Sequence, residues 1–266
     1  MNKTGLAEVI DSEQARYEEY TELLVRRDQL IKEAGSYMTA YTAEFGDLIT
    51  ANFELKIECI KKKKMISYCR RRMNRGLAID ATHMQDEIEQ EMKLYYVQLK
   101  EMMTDTENAK KAESVGEYRF RRAKKIYRRL AKILHPDINK KTMEDENLKE
   151  LWTRIAAAYQ HSDVDELDDL EVLVHRAMEE IGDEGFEIDF SDIEERIERV
   201  ERQINDILTT EPYTYGEILN DKEKKAAFLE QLKAEKEDYE QYLEILTKSL
   251  EEMLNAGGVT LVWKTS

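Results

Sequence analysis

Proline and glycine are scarce in this chain, with 2 and 10 respectively in 266 residues. That excludes proline-rich linkers, collagen-like repeats and the glycine-punctuated turns of a β-sandwich. Cysteine is limited to Cys59 and Cys69. Ten residues apart on one helix, they stand about 15 Å from each other, too far for a disulfide. Metal ligation would need further Cys or His side chains at close spacing. None is near, so both read as buried thiols. No apolar run approaches the ~20 residues that cross a bilayer, and Met1-Asn2-Lys3-Thr4-Gly5 lacks the apolar core of a signal peptide. A soluble, cytoplasmic protein without membrane association is expected. Period-two runs of β-branched residues are nearly missing as well, which leaves little to build strands from.

What fills the chain is charge carried on helix formers. Charged residues make up 37% of it and the net charge is −16, unevenly placed. Residues 56–75 hold nine basic side chains and one acid, a net of +8; residues 119–132 hold eight basic and none acidic, again +8. Residues 163–195 hold fifteen acids and one arginine, a net of −14. Such segregation speaks of partners more than the total does.

Helical periodicity covers nearly the whole length. Ile10, Tyr17, Tyr20, Leu24 and Ile31 keep a heptad-like phase that continues at Met38, Tyr41, Phe45, Leu48, Leu55, Cys59, Ile66, Cys69 and Met73, interrupted at Asn52 and Lys62. Because the phase survives Gly35, one long helix is expected, stopped by Asn74-Arg75-Gly76. Asp80 or Thr82 then caps a helix to about Met103 that runs back along it. Ser162, with Asp165 three residues on, reads as a capping-box variant before a helix burying Val164, Leu167, Leu170, Leu173, Ala177 and Ile181. An acidic linker at 182–190 suggests a boundary. Ile193, Ile197, Val200, Ile204 and Ile207 form a coiled-coil seam, as do Leu229, Leu232, Tyr239, Leu243, Leu246, Leu250 and Met253. The two should zip antiparallel around the turn at 209–216, with packing against the N-terminal helices as a further option. A short apolar tail, Val259-Thr260-Leu261-Val262-Trp263, follows.

The densest information lies at 118–159. Phe120, Ala123, Ile126, Tyr127, Leu130, Ala131 and Leu134 mark one apolar face at helical stride. The opposite face carries Arg119, Arg121, Arg122, Lys124, Lys125, Arg128, Arg129 and Lys132. Pro136 ends this helix by disfavouring the α conformation in the residue before it. A second helix places Leu148, Leu151, Trp152, Ile155, Ala158 and Tyr159 on one side, so the pair should form an antiparallel hairpin with His135-Pro136-Asp137 at its tip.

The phrases Tyr127-Arg128-Arg129-Leu130-Ala131, His135-Pro136-Asp137 and Trp152-x-x-Ile155-x-x-Ala158-Tyr159 together resemble a J-domain, the co-chaperone module of the DnaJ class. The resemblance covers about residues 92–160. At its front end Tyr95-Tyr96-Val97-Gln98-Leu99 stands for the family's first-helix phrase, with Lys100 where the family has glycine, and the link to the basic helix is longer than usual. The resemblance implies a co-chaperone that binds a DnaK-type (heat-shock 70 class) ATPase and stimulates its ATP hydrolysis. His135, Pro136 and Asp137 would act on that partner while Lys124, Lys125, Arg128, Arg129 and Lys132 meet an acidic groove on it. The glycine/phenylalanine-rich segment and cysteine-rich repeats of full-length DnaJ are missing.

Catalysis finds no complete set of roles. The four histidines are scattered, and neither a glycine-rich phosphate loop nor a His-Glu-x-x-His motif occurs. No enzyme activity, metal or cofactor is expected. The reading is therefore an all-α protein with a J-domain-like helical hairpin embedded between long antiparallel coiled-coil helices. It divides into an arm at 1–80, the J-like module with its acidic helix at 81–182, and a coiled-coil hairpin with tail at 183–266. The arms would dock an unidentified client, localise the module or form a homodimer. Two alternatives stand beside this reading. One is a structural coiled-coil adaptor with a non-stimulating J-like remnant. The other, less favoured, is nucleic-acid binding through Lys56, Lys61–Lys64, Arg70–Arg72 and Arg75. The acidic segment after the module is also expected to compete for the basic face.

Overall fold

The computed structural model describes residues 3–112, 116–181 and 192–256, and among these every regular element is a helix. The expected all-α class holds among the described residues. No helix among the described residues is long and apolar enough to cross a membrane. The acidic linker at 182–190 and the tail at 259–263 lie outside the described residues.

Helix α1 (Lys3–Asn74) is continuous through Gly35, as an apolar phase that carries across that glycine requires. It stops where expected. Gly76 takes a left-handed φ of +64°, and the Leu77 N–H reaches back to the Arg72 carbonyl at 3.0 Å, the closure that glycine allows after a helix. Asp80, not Thr82, caps α2 (Ala81–Lys111), its carboxylate accepting from the His83 N–H at 3.0 Å. Helix α2 runs on past Met103 through most of the stretch read as a long link. Its lysines at 110 and 111 suit a helix C-terminus.

The helices group into two compact units, each discontinuous in sequence: residues 1–37 with 113–214, and residues 38–112 with 215–266. The first unit holds α3 (Glu117–Leu134), α4 (Lys141–Glu144), α5 (Glu146–Gln160), α6 (Val164–Ile181) and α7 (Ile193–Thr209) with the first part of α1. Its main core joins Ala123, Leu130 and Leu134 of α3, Leu148 and Ile155 of α5, Leu167, Leu170 and Val174 of α6, and Val25 of α1. Val174 is buried where the spacing favoured Leu173, which is 40% exposed. A second cluster packs Ile197, Val200 and Ile204 of α7 on Tyr20, Leu24 and Leu30.

The second unit holds the rest of α1, α2, α8 (Tyr215–Asn220) and α9 (Lys222–Ala256). Leu246, Leu250 and Leu254 pack among Ile57, Ile66, Met84, Ile88 and Met92. Cys59 and Cys69 are free and buried there. Asn52, an interruption of the apolar phase, is buried and donates to the Leu232 carbonyl at 2.9 Å. Within its own unit the seam of α7 packs on the first part of α1, and that of α9 packs on the rest of α1 and on α2, the N-terminal partners that the spacing also allowed. A four-three stripe specifies burial, not which stripe it meets. Tyr95 and Leu99 also lie in this unit, part-buried in the α9 core, so the family's first-helix phrase belongs to a different unit from the His-Pro-Asp corner.

Close packing of α1 on α2 sets a local limit on side-chain size. A Cβ at Gly46 would stand 2.5 Å from Thr106 Oγ1 and 2.8 Å from its Cγ2. Gly46→Ala is expected to destabilise by about 1–3 kcal/mol through overpacking. Adding Thr106→Ala removes both clashing atoms and should return most of the loss in a double-mutant urea titration; additive losses would show that the clash is relieved some other way.

Candidate functional site

Helix α3 ends at Leu134 because Pro136 forces His135 out of the helical region, to φ −59° and ψ 127°. The chain then turns tightly: the Ile138 and Asn139 N–H groups both donate to the His135 carbonyl at 2.8 Å. Asn139 pins the turn from inside. It is buried, its Nδ2 donates to the Ile133 carbonyl at 3.1 Å, and its Oδ1 accepts from the Lys141 N–H at 3.1 Å. His135, Pro136 and Asp137 therefore share one corner between α3 and the α4–α5 segment.

The Asp137 N–H donates to His135 Nδ1 at 3.1 Å, and Arg27 Nη2 of α1 stands 3.3 Å from Nε2. Nε2 faces Asp28 Oδ2 of α1 at 3.4 Å. One face of the ring rests edge-on against Trp152, centroids 4.8 Å apart. Behind it Tyr127 stacks flat on Tyr159 at 4.0 Å. The His135 side chain is only 5% exposed, whereas that of Asp137 is 40% exposed and Pro136 is half-buried.

Three residues of α1 close over this corner. Asp28 accepts from the Tyr127 hydroxyl at 2.5 Å and pairs with Arg27 at 2.8 Å. Burial pushes the Asp28 carboxyl up. The His135 ring, the Arg27 guanidinium and the Tyr127 hydroxyl outweigh it and hold the group below the usual carboxylate range. Burial, with Asp28 alongside, raises the Tyr127 hydroxyl far above its ordinary value. Arg27 also reaches Asp137 Oδ2 at 3.3 Å. Glu22 accepts from Arg128 and lies 3.6 Å from Lys132 Nζ.

Three further arginines of the basic face are met by acids of α6. Arg129 binds Glu171 through two bonds of 2.6 and 2.7 Å, Arg122 binds Asp168, and Arg119 lies 3.3 Å from Asp165. The Arg129 hydrogen bond holds the Glu171 carboxyl below its ordinary value. Exposed pairs of this kind contribute no more than about 1 kcal/mol each. Lys124 and Lys125 make no ion pair with the described residues, and Lys125 is exposed. An open concavity of about 640 Å³ lies over this part of α3, lined by Tyr118, Lys125 and three arginines.

All eight expected site residues thus fall in one unit, on one helix and the corner after it. They do not form one open surface, because His135 is covered by α1. Arg27, Asp28, Glu22 and Asn139 carry no motif; their one sequence signal is Asp28, an acid four residues on from Leu24 in the apolar phase of α1. Ser162 likewise plays a different part from the one its spacing suggested. With φ +53° it ends α5, while the Asp163 carboxylate caps α6 by accepting from the Glu166 N–H at 3.2 Å. Among the described residues no group of three or more His, Cys, Asp and Glu stands where it could hold a metal ion. Comparison with protein-family models, curated proteins and solved structures finds no match for this chain.

Proposed function

We propose that the chain is a co-chaperone that engages a DnaK-type ATPase through its J-domain-like module and stimulates ATP hydrolysis by that partner. The observation that carries this reading is the corner itself. His135, Pro136 and Asp137 follow a helix whose residues 119–132 carry eight cations and no acid, and an aromatic shelf of Tyr127, Trp152 and Tyr159 backs them. Cations on one helix face accelerate encounter with an acidic groove and fix its register. The chemistry belongs to the ATPase, whose conformational populations the module would shift. The helices outside the module would hold a client or a second copy of the chain.

Asp137→Asn is expected to abolish stimulation in a single-turnover ATPase assay with a DnaK-type chaperone while leaving helicity by circular dichroism unchanged. Full stimulation by that variant would overturn the reading. A second reading, a structural adaptor whose J-like part does not stimulate, draws support from the burial of His135 beneath Asp28. Under it the unaltered protein and Asp137→Asn are equally silent.

A further inference from the structure

Helix α1 meets the corner charge for charge. Glu22 takes Arg128 and Lys132, Asp28 takes the Nε2 side of His135, and Arg27 takes Asp137. A helix that merely packs here needs apolar residues, and α1 has them in Val25 and Leu24. Charged matching of both signs is the property of a partner surface. The acids of α1 satisfy the cations that an acidic partner would seek, and its arginine holds the one acid of the motif.

We infer that residues 22–28 of α1 are a built-in stopper for the His-Pro-Asp corner, which must be displaced before the corner can be used. The inference rests on the co-chaperone reading for the identity of what displaces it, but not for the contact. The stopper lowers apparent partner affinity by the fraction of molecules in which the corner is free. Displacement uncovers Nε2 of His135, the atom that Asp28 faces. It also frees Arg128 and Lys132 from Glu22, so the surface presented gains net positive charge as it opens. Partner and stopper compete for the same side chains, and each weakens the other's hold reciprocally.

The test uses the full chain and the pair of substitutions Glu22→Lys and Asp28→Asn. The first repels Arg128 and Lys132 at a half-buried position; the second keeps the shape of the largely buried carboxylate and removes its charge. Diethyl pyrocarbonate, which acylates accessible imidazole nitrogen, is followed by mass spectrometry of each histidine peptide. The exposed His83, His161 and His175 serve as references within the same molecule. In the unaltered protein His135 is expected to react far more slowly than the other three. In the doubly substituted protein its rate should rise by roughly tenfold, the change expected for a corner free in about one molecule of ten at the outset, with the references unchanged. His135 reacting as fast as His161 in the unaltered protein, or staying protected in the variant, overturns the stopper. A parallel ATPase assay with a DnaK-type chaperone separates the two ideas. A variant that stimulates more strongly than the unaltered chain supports both. Equal stimulation by the two overturns the stopper and leaves the co-chaperone reading standing. Silence from both, with His135 freed in the variant, overturns the co-chaperone reading and leaves the stopper.

Discussion

Leu130→Ala is expected to loosen the first unit by about 2–5 kcal/mol. The side chain is fully buried on α3 and belongs to the cluster that joins α3, α5 and α6. Truncation removes transfer free energy and leaves a cavity walled by helices whose positions many other contacts fix, so collapse can recover only part of it. A loss of this size is a large share of the ~5–15 kcal/mol that holds a typical domain. Amide hydrogen exchange is the measurement of choice, because it reports local opening. Protected amides of 117–181 should exchange at least ~30-fold faster, with those of 222–256 as the internal reference. Equal acceleration in both stretches would refute a local effect.

Replacing Lys32 with methionine should remove a pH dependence that the unaltered protein carries. Lys32 is 5% exposed. Its Nζ donates to the Tyr159 carbonyl and to Ser162 Oγ, both at 2.5 Å, at the carbonyl end of α5, where a cation is favoured. The rings of Tyr159 and Phe120 lie 4.2 and 4.9 Å from it. Burial nevertheless lowers its pKa from 10.5 to about 8. Between these values the unfolded chain binds the proton that the native chain has released, so this group makes stability rise with pH from about 8 towards 10.5. The full penalty on the charged form, on the order of 3 kcal/mol, is present below pH 8. Burial raises the pKa of Cys59, Cys69, Tyr127 and Tyr159 and works in the opposite direction at high pH. The difference between Lys32→Met and the unaltered chain is therefore the quantity to read. Urea midpoints followed by Trp152 fluorescence in a Trp263→Phe background should show the variant's relative advantage shrinking by about 2–3 kcal/mol from pH 7 to pH 10. A constant difference across that range would refute the lowered pKa.

Local rules made parts of this fold legible. The continuity of α1 follows from an apolar phase that ignores Gly35, the stop at Gly76 from the need for a left-handed residue, and the cap at Asp80 from its short carboxylate. The corner was legible for the same reason: Pro136 dictates the conformation of the residue before it. The cover over the corner was not. Asp28 meets Tyr127 across 99 positions and Arg27 meets Asp137 across 110, and single ionic contacts at such separations leave no periodic trace. Charge segregation did foreshadow the engagement of the basic face by the acidic helix, which Asp165, Asp168 and Glu171 carry out. It gave no hint of Glu22. Lys32 shows the limit of periodicity, since the phase pointed to Ile31, which is 45% exposed, and the lysine beside it is buried.

The first unit is assembled from residues 1–37 and 113–214. No single contiguous fragment shorter than residues 1–214 contains it. During synthesis the opening turns of α1 must wait while residues 38–112 are made before any of their partners on α3 exists. Pairing across so long an interval carries a loop-closure cost in entropy, which slows folding. A fragment starting near residue 113 would leave the ribosome with the corner bare, and only the parental polypeptide supplies the segment that lies over it.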